Sequence, residues 1–61
     1  MKREQIQRLK ERYVGKIVFV HIDDPYHPIA EKGVVKSVDD MGQLHGTWGG
    51  LAALPEEVEI L

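Results

Sequence analysis

Three hydrophobic rhythms follow one another along the chain. Between residues 2 and 13, Ile6, Leu9 and Tyr13 recur at i, i+3 and i+7 among Lys, Arg, Glu and Gln, with no Gly, Pro or Thr. That spacing and composition predict a helix over 2–13 with one narrow apolar stripe. Gly15 is a stop signal just past it. From Lys16 to Ile22 the chain is β-branched and aromatic, which is its strongest strand signal. Ile17 and Phe19 fall on one face of this strand, and Val18, Val20 and Ile22 on the other. A strand apolar on both faces is expected to be sandwiched, here between a barrel interior and the N-terminal helix.

The third rhythm is a set of short strands broken by turn residues. Gly33 opens a strand from Val34 to Val38, and the three-residue spacing of Val35 and Val38 predicts a β-bulge near Lys36-Ser37. Asp39-Asp40-Met41-Gly42 reads as a hairpin turn in which Gly42 takes positive φ. Gln43 to Trp48 is a further strand, Gly49-Gly50 a tight turn and Leu51 to Leu54 a short strand ended by Pro55. Val58 and Ile60 alternate in a last strand. The expected fold is mainly β: residues 1–61 form one domain, with a helical extension at 2–13 and a five-stranded SH3-like barrel over 16–61. Its expected core is Ile6, Leu9, Ile17, Phe19, Val35, Val38, Leu44, Trp48, Leu51, Leu54, Val58 and Ile60.

Between the first two strands lies Asp23-Asp24-Pro25-Tyr26-His27-Pro28. Each proline fixes its own φ and pushes the residue before it into an extended conformation, so the segment is a stiff connection rather than helix or central strand. It carries two carboxylates, an imidazole and a phenol ring, and loops of this kind are where small β domains put their function.

Size and charge narrow the choices. A 61-residue chain buries only about 60% of its unfolded surface, and no cysteine is present to staple it or to form a thiolate zinc site. The longest apolar run, Ile17 to Val20, is too short to span a membrane, and a Lys2-Arg3-Glu4 start argues against secretion, so a cytoplasmic protein is expected. The net charge of −2 divides unevenly: residues 1–16 hold six Lys and Arg against two Glu, and residues 17–61 hold two Lys against eight carboxylates. On a helical wheel Arg3 and Lys10 line one edge of the apolar stripe and Arg12 the other, while Glu4 and Glu11 centre the opposite side. This arrangement predicts a helix lying on an acidic body, its basic stems covering apolar surface.

Gly33-Val34-Val35-Lys36-Ser37-Val38-Asp39 resembles the bent second strand of SH3-like and KOW-type barrels. A longer pattern joins His21–Tyr26, Gly33–Val38, Asp39–His45, Trp48 and Leu51-Ala52-Ala53-Leu54. It resembles a family of short, uncharacterised bacterial proteins, a domain of unknown function carried by phages and conjugative elements. The resemblance covers nearly the whole chain and implies a fold and a mobile-element setting, with no activity attached. Members of that family carry a larger residue where Gly46 stands and a fuller turn where Gly49-Gly50 stands. The first difference is expected to thin the core beneath Trp48.

His21, Asp23, Asp24 and His27, with His45 on a neighbouring strand, offer imidazole and carboxylate donors, but the spacing matches no metal signature and no metal or cofactor is expected. Ser37 and Thr47 are the only hydroxyl nucleophiles besides tyrosine, so an enzyme is not expected either. A protein partner suits the loop better: Asp23, Asp24 and Glu31 supply acid, and Tyr26 and His27 supply rings beside them. Trp48 reads first as core and second as a wall of that surface. The alternative partner is nucleic acid, contacted by Arg3, Arg8, Lys10, Arg12 and Lys16. The protein is expected to be a monomer or a weak homodimer.

Overall fold

The computed structural model describes residues 2–61. Helix α1 (Arg3–Tyr13) leads into β1 (Ile17–Ile22), β2 (Ile29–Val38) and β3 (Leu44–Gly46), and a single 3-10 turn at Pro55–Glu57 precedes β4 (Val58–Ile60). The strands form one open antiparallel sheet in the order β3-β2-β1-β4. Leu51–Leu54, expected as a strand, contributes one isolated bridge between Ala53 and Leu44, and the sheet therefore has four strands rather than five.

The β2 strand organises the sheet. It starts at Ile29 instead of at Gly33, so Glu31 lies within a strand and the connection from β1 shortens to residues 23–28. Gly33 is thus interior to β2, where glycine weakens a strand unless another group needs the space. Trp48 needs it: a Cβ on Gly33 would come within 2.9 Å of the indole Cε3 and of Thr47 Oγ1. The register of β2 against β3 shifts between Val35 and Ser37, which is the bulge the spacing of Val35 and Val38 called for. At the hairpin, Asp39 Oδ1 accepts from the amides of Met41 (2.9 Å) and Gln43 (2.9 Å), and Gly42 has a φ of 80°.

The core is a single cluster: Ile6, Tyr13, Val18, Val20, Ile22, Val35, Val38, Leu44, Trp48 and Ala53, with Leu9, Ile29, Leu51 and Val58 packed against it. The inner face of β1 is therefore Val18, Val20 and Ile22. Ile17 is 58% exposed and Phe19 only half-buried, which corrects the expectation that these two line the core. Both faces of β1 are apolar, so alternation alone did not say which face turns inward. Ile6 and Tyr13 of α1 join the same cluster as the inner face, so the helix closes over the interior and leaves the outer face of the sheet open. Leu54 and Ile60, each 40% exposed, also fall outside the core.

The docking of α1 is apolar. Among the described residues the one ion pair joins His45 to Asp39, and no cation of the helix lies within ion-pair distance of a carboxylate. Asp40 lines the same cleft as Arg3 and Lys10 without pairing with either. Long exposed side chains gain little from a surface pair after losing rotamer freedom, and here they stay in solvent. The helix ends as expected: Gly15 has a φ of 85°, and its amide donates to Val35 O at 2.8 Å, joining helix end to sheet. No helix among the described residues is long and apolar enough to cross a membrane.

Candidate partner-binding site

The 23–28 connection is built on one carboxylate. Asp24 Oδ1 accepts from the amides of Tyr26 (2.7 Å) and His27 (3.0 Å), closing an Asx-type turn around Pro25. These two bonds hold the Asp24 carboxyl below its ordinary value, because they favour the charged form. The pairing of Ile22 with Ile29 closes the loop at its base. Its tip presents Tyr26, 84% exposed, with the His27 ring beside it in the chain and also exposed. Prolines on either side of Tyr26 and His27, with the Asp24 carboxylate clamping their amides, make this an ordered presentation of an aromatic ring.

The loop forms one wall of a shallow groove of about 610 Å³. Tyr26, His27, Pro28 and Ile29 line one side, and Gly50 and Leu51 the other. The far wall is held from behind by Trp48, whose Nε1 donates to Leu51 O at 2.8 Å. Trp48 itself is 3% exposed, so it is core and supports the groove without lining it. Its ring is seated on the two glycines Gly33 and Gly46. A Cβ on Gly46 would stand 2.7 Å from the indole Cη2 and would overlap Val34 O. Gly46 thus lets the ring lie against backbone, and the expectation that it thins the core under Trp48 is overturned.

Of the residues the sequence pointed to, Tyr26 and His27 line the groove, and Asp24 shapes the loop from within. Asp23 and Glu31 are exposed and lie outside the groove lining, Asp23 directly after β1 and Glu31 opposite Val20 in the β1–β2 register. Ile29, Gly50 and Leu51 were not singled out. Only the Gly49-Gly50 turn signalled the opposite wall, and nothing local tied it to the loop some twenty residues earlier.

The backbone beside the groove is unpaired on one side. Val35 exchanges bonds with Gly15 and Lys16 on the β1 side, whereas Val34 turns the other way, accepting from Thr47 N (3.2 Å) and donating to Thr47 Oγ1 (3.0 Å). The β1–β2 register runs unbroken from Ile29 to Val34, so Ala30 and Lys32 direct their N–H and C=O groups the same way as Val34. The pairing of β3 with β2 reaches no further than Val35, and among the described residues no backbone bond meets Ala30 or Lys32 on that side. This half of β2 is a free edge.

The basic residues are distributed differently. Arg3, Arg8, Lys10, Arg12 and Lys16 are all exposed, but the first four divide around the helix and Lys16 lies beyond its end. Arg3 and Lys10 border a cleft with Asp40, while Arg8 and Arg12 border another with Pro55. The Arg12 guanidinium also lies 5.5 Å from the centre of the Tyr13 ring. The histidines do not converge with carboxylates into a metal site: among the described residues no group of three or more His, Cys, Asp or Glu is placed to hold an ion. His45 Nε2 instead meets Asp39 Oδ2 at 2.9 Å, and this contact, with the hairpin amides of Gln43 and Met41, holds the Asp39 carboxyl below its ordinary value.

The chain belongs to the family described as Domain of unknown function (DUF4314), which matches residues 2–56. No curated protein and no solved structure matches it.

Proposed function

We propose that this protein is a non-enzymatic interaction module that captures an extended segment of a protein partner at the 23–28 loop. The reading rests on one observation above others: Tyr26 is held almost fully exposed, on a loop already ordered by Asp24, at the lip of a groove. An aromatic ring fixed in the free protein loses little conformational entropy when a partner covers it. The free edge of β2 supplies backbone donors and acceptors at Ala30 and Lys32, the elements of recognition by strand addition. Asp23, directly after β1, and Glu31, within β2, are exposed carboxylates near the loop and favour a segment carrying Lys or Arg.

The same features support an SH3-like reading of the sheet. The bulged β2 pairs through its first half with β1 and through its second half with β3, as a long strand shared between two sheets of a small barrel does. The Leu44–Ala53 bridge extends the β3 side. The setting we favour, an accessory protein of phages or conjugative elements acting in the bacterial cytoplasm, rests on the sequence resemblance.

A second reading, nucleic-acid binding by α1, is favoured by five exposed cations that have no ion-pair partner among the described residues. Against it, Arg3 and Lys10 border one cleft and Arg8 and Arg12 another, and the strands carry no interleaved basic and aromatic residues.

Affinity purification from the native host separates the two. Wild-type protein is compared with a Tyr26→Ala/His27→Ala variant and with one in which Arg3, Arg8, Lys10, Arg12 and Lys16 become Gln. All seven positions are exposed, so both variants should fold. A protein lost only from the first variant is the expected result. Retention by the first and loss of nucleic acid from the second would replace this reading with the other.

A further inference from the structure

The outer face of the sheet, which neither the groove nor the helix uses, carries a self-complementary pattern. Its residues come in rows across β4, β1 and β2. Leu61 donates its amide to Ile17 O (3.0 Å), and Ile17 pairs with Val34, giving the row Leu61–Ile17–Val34. Phe19 pairs with Glu59 on one side and with Lys32 on the other, giving the row Glu59–Phe19–Lys32. His21 pairs with Ala30 in the row beyond. Ile17 is 58% and Leu61 62% exposed, and Phe19 and Val34 are half-buried, so a large apolar strip remains in solvent in the middle of a sheet. Among the described residues Lys32 and Glu59 form no ion pair.

We infer that this face is the interface of a homodimer whose two-fold axis runs along β1, with Lys32 of each copy meeting Glu59 of the other. A two-fold rotation about β1 exchanges the two sides of each row and leaves its centre in place. Phe19 then faces Phe19, Ile17 faces Ile17, Leu61 faces Val34, and each Lys32 faces a Glu59. Rotation about an axis perpendicular to β1 would instead set Lys32 against Lys32 and Glu59 against Glu59. The charges therefore select one arrangement: two sheets packed face to face with strands aligned within about 30°, the common geometry of sheet pairs. An isologous contact of this kind closes on itself and stops at two copies. Three strands ~4.8 Å apart make a strip of smaller area than the ~800 Å² per partner of a standard-size complex, so the dimer is weak. The groove and the free edge of β2 face elsewhere and stay accessible in it.

Sedimentation equilibrium between about 10 µM and 1 mM tests this, a range in which weak association is read directly. The wild-type mass should rise from 6.9 kDa toward twice that value. Lys32→Glu alone and Glu59→Lys alone should each hold the protein near the monomer mass, and the double variant Lys32→Glu/Glu59→Lys should restore association. Ile17→Lys, at the centre of the apolar row, should abolish it independently of the charge pair. Circular dichroism melts show that each variant is folded. A wild-type protein that stays monomeric at 1 mM overturns the proposal. So does association that the single variants leave unchanged, or a double variant that remains a monomer.

Discussion

Replacing Gly46 with Ala adds one carbon, yet it should be among the most damaging small changes available to this chain. The new Cβ would lie 2.7 Å from Trp48 Cη2 and would overlap Val34 O. Retreat of the carbonyl is resisted by the bond it accepts from Thr47 N at 3.2 Å, just past the end of β3. The indole must move instead. Forcing it from its slot costs ~1–3 kcal/mol of overpacking. Breaking the Nε1–Leu51 O bond, 2.8 Å long in the parent, removes about 1 kcal/mol more. A loss of about 3 kcal/mol is large against the roughly 3–9 kcal/mol expected for a domain of this length. It corresponds to a fall in Tm of roughly 12–24 °C. Urea unfolding followed by fluorescence reads this directly, since Trp48 is the sole tryptophan and is buried. Gly50→Ala is the matched control, because a Cβ there meets nothing within 4 Å and Gly50 has no positive φ. Its effect should stay within about 0.5 kcal/mol. A Gly46→Ala protein as stable as the parent, or a Gly50→Ala protein equally damaged, would refute the seating of Trp48 on Gly46.

Three further outcomes follow from the same geometry. Leu44→Ala, at a fully buried position, should cost ~2–5 kcal/mol by thermal or urea melting, and Phe19→Ala on the half-buried outer face should cost less. Stability should fall in acid: the carboxyls of Asp24 and Asp39 are held below 3.8 in the folded chain, so their contribution is complete above that value and is lost as pH falls through the folded pKa values. Asp39→Ala should flatten part of that acid-side slope in a pH series of melts. The Tm should change little between about 50 mM and 500 mM NaCl, because α1 is held by Ile6, Leu9 and Tyr13 and not by ion pairs; a marked fall with salt would restore an electrostatic docking.

The parts of the fold set by local chemistry were legible in the sequence. The helix stripe of Ile6, Leu9 and Tyr13, the stop at Gly15, the bulge between Val35 and Ser37 and the Asp39–Gly42 turn each follow from residues close together in the chain. What failed to show was set at long range. Val18 and Ile17 are equally suitable for a core, and only the placement of α1 over the inner face decides between them. Gly33 reads locally as a strand opener, but it lies inside β2 because an indole fifteen residues later occupies the space above it. The site divides along the same line. Tyr26, His27 and Asp24 stood out through the two prolines around them, whereas Leu51 joins the groove through Trp48 and could not be read from its own neighbourhood.

Hydrogen exchange of the protein alone and with the partner it retains reads the free edge of β2 and the groove together. The expected result is new protection at the amides of Ala30 and Lys32 on the free edge of β2, and at those of Tyr26, His27, Gly50 and Leu51 around the groove. The amides of α1 should be unchanged. Protection confined to residues 3–13, with the 23–28 loop and the edge of β2 exchanging as in the free protein, would contradict it.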